Sequence, residues 1–150
     1  MKLKELVGTG DRIAGITLPF TVLGIVANKL WPAVFHMGFG LPGLIAGVVL
    51  LAVGVQLWLI SVAQILRYVP TGKLITTGPF ALVLHPLYTS VALLVIPGCG
   101  FVLDTWLGPA LGLILYGAAR MFAGAEEKFL AVRFPEEYRR YRQRVLLPWL

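Results

Sequence analysis

Charged side chains divide this chain into four long uncharged stretches, at residues 13–28, 30–66, 74–103 and 105–119. Crossing a bilayer takes about 20 mostly apolar helical residues, slightly fewer where flanking side chains snorkel, so each stretch is long enough for one span. Proline and charge place the spans at about 13–29, 41–66, 86–102 and 106–123. The Trp31-Pro32 and Leu41-Pro42 breaks leave Trp31, Phe35 and His36 in a connection, where aromatic rings suit a membrane interface. Asp104 sits between the last two spans, and so short a connection makes them an antiparallel hairpin. A secretory signal is the competing reading of the first run, because Lys2 and Lys4 precede it. Asp11 and Arg12 directly before the run, and the lack of a small-x-small cleavage site, speak against it.

Beyond the fourth span the pattern changes. Leu130, Phe134, Tyr138, Tyr141 and Val145 recur at helical spacing, while Arg139, Arg140, Arg142 and Arg144 crowd the remaining face. Pro135 followed by Glu136 and Glu137 reads as a fresh helix start, since proline suits the first helical position and carboxylates suit the positive helix end. Two uses of this tail stay open: a basic helix resting on anionic lipid, and a cap over a site. The expected fold is therefore an all-α integral membrane bundle. It forms one domain over all 150 residues, with about four transmembrane helices and an amphipathic C-terminal cytosolic cap at 126–147.

Composition agrees with the pattern. The chain is 58% hydrophobic and 13% charged, about half the charged fraction usual in soluble domains, and far too apolar to be disordered. A net charge of +6 invites a nucleic-acid reading, but the charge is not spread over a surface: 11 of the 20 charged residues follow position 119. Lys2, Lys4 and Arg12 precede the first span, Arg67 and Lys73 separate the second and third, and the run from Arg120 to Arg144 follows the fourth. Only Lys29 falls on the other side, so the positive-inside rule puts both termini in the cytoplasm. Cys99 is the lone cysteine, which excludes an internal disulfide and a four-cysteine zinc site; no metal site is expected.

In so apolar a chain, polar groups gathered at one membrane face carry the functional signal. Three clusters fall on the cytoplasmic side: Thr71 to Pro79, His85 to Ser90, and Arg120 to Glu127. Thr76-Thr77-Gly78-Pro79 is a turn by its glycine and proline. Leu84-His85-Pro86-Leu87-Tyr88 places proline at the first position of the third span, where free backbone N–H groups suit a ligand carboxylate. Taken in isolation, His85 is more simply explained as a helix-capping or interfacial histidine, and Tyr88 alone suits the headgroup level. Glu126 and Glu127 are costly at a hydrocarbon boundary without cationic or hydroxyl partners. Arg120, seven residues before Glu127, lies on the same helix face, and a plain helix-end salt bridge with Arg120 or Lys128 is the alternative to a ligand role for the pair. Gln56 and Gln64, eight apart in the second span, are read as pointing into the bundle, where helix–helix hydrogen bonding suffices to explain them.

Gly72-Lys73-Leu74-Ile75-Thr76-Thr77-Gly78-Pro79-Phe80, then Val83-Leu84-His85-Pro86-Leu87-Tyr88, then Glu126-Glu127, Phe134-Pro135-Glu136-Glu137-Tyr138 and Tyr141 together resemble the isoprenylcysteine carboxyl methyltransferase and phospholipid methyltransferase superfamily. The resemblance covers the C-terminal half, from Gly72 onward, and rests on order and spacing rather than on any single piece. It implies a small integral membrane enzyme that binds S-adenosylmethionine on the cytosolic side beneath a C-terminal cap. The cofactor contacts it implies are His85, Pro86, Leu87, Tyr88, Glu126 and Glu127; it assigns no catalytic residue, for which Arg120 is the candidate, with Arg120 or Arg67 the replacements available for the family's arginines. The implied acceptor is lipophilic and enters from the bilayer, either an isoprenylcysteine carboxylate or a lipid amine. Where the family usually carries arginine this chain has Ala81 and Leu84, and Ser90 replaces a common glycine. Two other readings remain: a non-catalytic scaffold or lipid-binding relative that has lost those arginines, and a nicotinamide-dependent membrane reductase, whose larger helix count suits this short chain poorly.

Overall fold

The computed structural model describes residues 10–150; Lys2 and Lys4 lie outside the described residues. Four helices make the bundle: α1 (Gly10–Leu30), α2 (Gly40–Tyr68), α3 (Pro86–Val102) and α4 (Leu107–Arg133). A shorter α5 (Pro135–Arg144) follows, with single turns at Pro32–Phe35, Val69–Thr71 and Pro79–Leu82 between the longer elements. No strand occurs among the described residues, only two isolated bridges. Three helices, at Gly10–Leu30, Gly40–Thr71 and Leu107–Arg133, are long and apolar enough to cross a membrane, and α3 is a shorter apolar helix of 17 residues.

The packing is inverted relative to a water-soluble domain. Leu18, Leu23, Val34, Leu41, Leu66 and Leu113 face outward, while the buried positions of α2 are Gly43, Gly47, Gly54 and Ser61. Lipid tails are as apolar as leucine, so burying leucine against another helix gains little in a bilayer, whereas small residues let backbones approach and gain dispersion contact. Large apolar side chains are accordingly left for the lipid. The α3–α4 hairpin shows the principle at its tightest: a Cβ on Gly108 would collide with the Gly100 backbone, and one on Gly112 with the Ala92 carbonyl. Within α3, residues Val91–Val95 widen into a π turn just before Pro97, which lacks the N–H that an α-helix would direct at Leu93.

The helices alternate in direction. At one end Asn28 accepts a hydrogen bond from the Thr105 hydroxyl, and the connections 31–39 and 103–106 are joined by Met37 N–H to the Asp104 carbonyl and Trp106 N–H to the Phe35 carbonyl. At the other end the Arg12 guanidinium lies over the Phe122 ring, and Gln64 reaches Thr77. That second end also receives the extension of α4, all of α5 and the turn leading into α3, so the charged segments collect there.

Candidate functional site

The turn before α3 is built by glycine and proline. Gly78 adopts φ +61°, a conformation strained for other residues, and a Cβ there would press on the Gln64 amide. Pro79 and Pro86 each begin a helical turn, and between them Leu84 is buried against Tyr138, Tyr141 and Val145 of the C-terminal segment. The stripe expected at helical spacing is therefore spent on this turn, with Leu74, Phe80, Leu130 and Phe134 packed around it. Backbone bonds complete the clamp: Leu146 N–H to Ala81, Leu147 N–H to Leu82, and Leu84 N–H to Leu150. The Tyr141 hydroxyl donates to the Phe80 carbonyl at 2.8 Å. Thus α5 covers the start of α3, while Arg139 and its partner Glu136 stay exposed on the outer face.

His85 occupies the residue before α3, yet its side chain does not cap the helix. The imidazole, only 10% exposed, lies between two carboxylates of α4: Nδ1 is 3.6 Å from Glu126 Oε2 and Nε2 is 3.4 Å from Glu127 Oε1. The Tyr88 hydroxyl is 3.4 Å from Glu126 Oε1 while its ring packs on Ala118 and Ala119, and Arg142 Nη1 of α5 is 3.5 Å from Glu127 Oε2. Residues 42, 38 and 15 positions apart meet here. Their separations exceed the 2.7–2.9 Å of a close charge-assisted bond, so the groups face one another without being locked together.

The Tyr138 hydroxyl is buried beside Glu127 with no hydrogen bond of acceptable geometry. Burial first, and then the negative charge of Glu127, push its phenol up to about 12, with Arg142 pulling the other way. Tyr141 is also raised, chiefly by burial and then by Tyr138. Among the described residues no group of three His, Cys, Asp or Glu is arranged to hold a metal ion.

His85, Tyr88, Glu126 and Glu127 are thus brought together, with Pro86 buried beneath them and Leu87 in the first turn. Arg120 is not. It is exposed on α4 and forms no ion pair among the described residues, although seven residues put it on the same face as Glu127; the two turns between them leave it too far along the axis. Among the described residues the cation at the cluster is Arg142, which the sequence hid among four similar arginines on the polar face of α5. Tyr138 was visible as an apolar position of a stripe and as part of the C-terminal motif, without a place in the cluster. Gln64 points inward to Thr77 as expected, but Gln56 points away from the bundle, because eight residues rotate about 80° around a helix and cannot share one inward line.

The chemistry gathered is two carboxylates, an imidazole, two phenols and a guanidinium at the end of an apolar bundle. Together they place hydrogen-bond donors and acceptors of both charges at one end of the bundle. No family model, no curated protein and no solved structure matches the chain.

Proposed function

We propose that this chain is a four-span integral membrane methyltransferase that uses S-adenosylmethionine and acts on a lipophilic acceptor. The observation that carries the reading is the meeting of His85, Tyr88, Glu126 and Glu127 beneath α5, at one end of an apolar bundle. At 17 residues α3 is about 25 Å long and packs along both α2 and α4, which suits a fourth crossing. Among the described residues Arg12, Arg67, Lys73 and the arginines of α5 share the site's end of the bundle and only Lys29 lies toward the other, so the site and Leu150 are assigned to the cytosol.

The donor set fits the cofactor group by group. Glu126 and Glu127 accept hydrogen bonds from ribose hydroxyls or an ammonium, and their charge favours a neighbouring sulfonium. The first turn of α3 offers its N–H groups to a carboxylate, and the unpartnered Tyr138 hydroxyl supplies one further donor. When bound, S-adenosylmethionine supplies an electrophilic methyl group on sulfur. The protein's part is to hold donor and acceptor in line, since positioning alone can supply several kcal/mol of the barrier. His85, just before α3, and Tyr88 in its first turn face the two glutamates, Arg142 of α5 faces Glu127, and α5 with the following strap keeps bulk water from the start of α3. An acceptor with a prenyl or acyl chain stays in the bilayer and presents its carboxylate or amine at this depth.

One observation favours a second reading, a non-catalytic lipid-binding or scaffold relative. Leu84 stands where the resemblance leads one to expect arginine, and it is buried in the apolar cluster under α5. Calorimetric titration of the purified protein in detergent separates the two, followed by a labelled-methyl screen against membrane lipids. Saturable S-adenosylmethionine binding that is lost in His85→Ala, Glu126→Ala and Glu127→Ala is expected. Unchanged binding in those variants overturns the site assignment, absence of binding favours the scaffold, and binding of a reduced nicotinamide nucleotide instead transfers the chain to the reductases.

A further inference from the structure

The outer face of α2 carries a polar group where lipid offers it nothing. Gln56 is exposed and makes no hydrogen bond among the described residues. It lies nine residues from Gly47, roughly 180° around the helix from the glycine face that packs on α3. Twelve residues separate Gln56 from Tyr68 and sixteen separate it from Gly40, about 18 and 24 Å, so it sits near the middle of the span. Its side chain is far too short to snorkel to either interface. An amide carbonyl and NH2 without partners in hydrocarbon are unfavourable, and a neighbouring helix is the usual remedy.

The surroundings of Gln56 have the pattern of a helix seam. Val49, Ala52, Gln56, Leu59, Ala63 and Leu66 are all exposed and follow one another at alternating steps of three and four residues. This is the 3.5-residue period that keeps one stripe of a helix facing a partner, here over about 26 Å. Ala52 and Ala63 flank the amide with small side chains that permit close approach, and a shallow groove runs along the same face. Copies of one chain insert with the same orientation, so a closed two-fold pair has its axis along the bilayer normal and sets equal depths face to face. Glutamine is self-complementary, donor to acceptor in both directions.

We propose that this seam pairs two copies of the chain, α2 against α2, with the two Gln56 amides hydrogen-bonded across the axis. The inference rests on the membrane placement of α2 and is independent of methyl transfer. In a Cys99→Ser background, single cysteines at Ala52, Leu59 and Ala63 are expected to cross-link to a species of twice the monomer mass in native membranes. Cysteines at Leu50 and Leu57, close in depth to Ala52 and Leu59 but about 100–120° around the helix from Gln56 on the side away from the groove, are expected not to. In liposomes, subunit counting should show Gln56→Leu weakening association about tenfold and Gln56→Asn retaining much of it, while titration with S-adenosylmethionine is unchanged by either. Equal cross-linking at all five positions, adducts of another mass, or a Gln56→Leu protein that associates like the parent overturns the pairing.

Discussion

At one end of the bundle His85 lies 10% exposed between two glutamates contributed by another helix; at the other, His36 lies 62% exposed and 3.2 Å from Asp104. The two are chemically alike and structurally opposed. Asp104 is occupied by backbone: its Oδ1 accepts the Gly38 N–H, its carbonyl accepts the Met37 N–H, and its own φ of +50° belongs to a tight turn. Such a carboxylate is a staple between two connections, its acceptors committed to the fold. At the opposite end the partners of Glu127 among the described residues are side chains, His85 and Arg142 at 3.4–3.5 Å with the Tyr138 hydroxyl beside them, and covering elements shield it from water. A histidine–carboxylate contact therefore says little about role until burial and the nature of the partners are known.

The sharpest way to break this contrast is to neutralise both ends separately. Glu126→Gln combined with Glu127→Gln removes two charge-assisted contacts to a ligand, worth about 3–6 kcal/mol together, so S-adenosylmethionine affinity should fall by at least about 100-fold. Asp104→Asn should leave it unaltered. Titration calorimetry on both proteins, with thermal unfolding as the check that each is folded, decides the matter: equal losses at the two ends would remove the distinction. Next in size is Leu84→Ala. Truncating a buried leucine costs about 2–4 kcal/mol, and here the loss falls on the contact that seats α5 on the start of α3. Proteolysis of the C-terminal segment should accelerate and ligand affinity fall with it, whereas hydrogen exchange at the Met37 and Trp106 amides should not change.

Much of this architecture was written in the order of residues. The positions of all four bundle helices, the helix start at Pro135 and the gathering of charges at one end follow from where charge, proline and apolar runs fall. Two things did not. The azimuth of a residue is unreadable when a helix is apolar all round, as α2 nearly is, so Gln56 and Gln64 looked alike although one faces Thr77 and the other faces outward. Contacts between distant elements were equally hidden. Arg120 was the nearer cation along the chain, yet α5 folds back to bring Arg142 to Glu127, because the side chains of Tyr138 and Tyr141 are buried against Leu84. The long α4, running unbroken to Arg133, also carries the glutamates on its own extension rather than on a separate cap.

Tyr138 offers a smaller effect that separates the two ends by pH. Its pKa is raised in the folded protein from 10.0 to about 12, so the folded state favours the neutral phenol. That contribution is fully present below the unfolded value and is lost as pH rises through the folded one, which places the loss of stability between pH 10 and about 12. Tyr141, raised as well, adds to the same alkaline limb. Tyr138→Phe should flatten the fall in melting temperature across that window while leaving neutral-pH stability nearly unchanged, because the hydroxyl it removes is buried without a hydrogen bond. A limb of undiminished steepness in Tyr138→Phe would assign it to other groups.

The smallest effect is expected at the staple itself. His36→Gln removes an exposed histidine–carboxylate contact, worth at most the roughly 0–1 kcal/mol of a surface salt bridge, and solvent screens what remains. The connection should survive, because the Trp106 N–H to Phe35 and Met37 N–H to Asp104 bonds are backbone and do not need the imidazole. Melting temperature should therefore move by no more than a few degrees, and less at high salt. His85→Gln differs in kind: it takes a nearly buried group from between two carboxylates that share one helix turn. Were His36→Gln to cost as much as His85→Gln in either stability or ligand affinity, the exposure difference between the two histidines would carry no functional meaning.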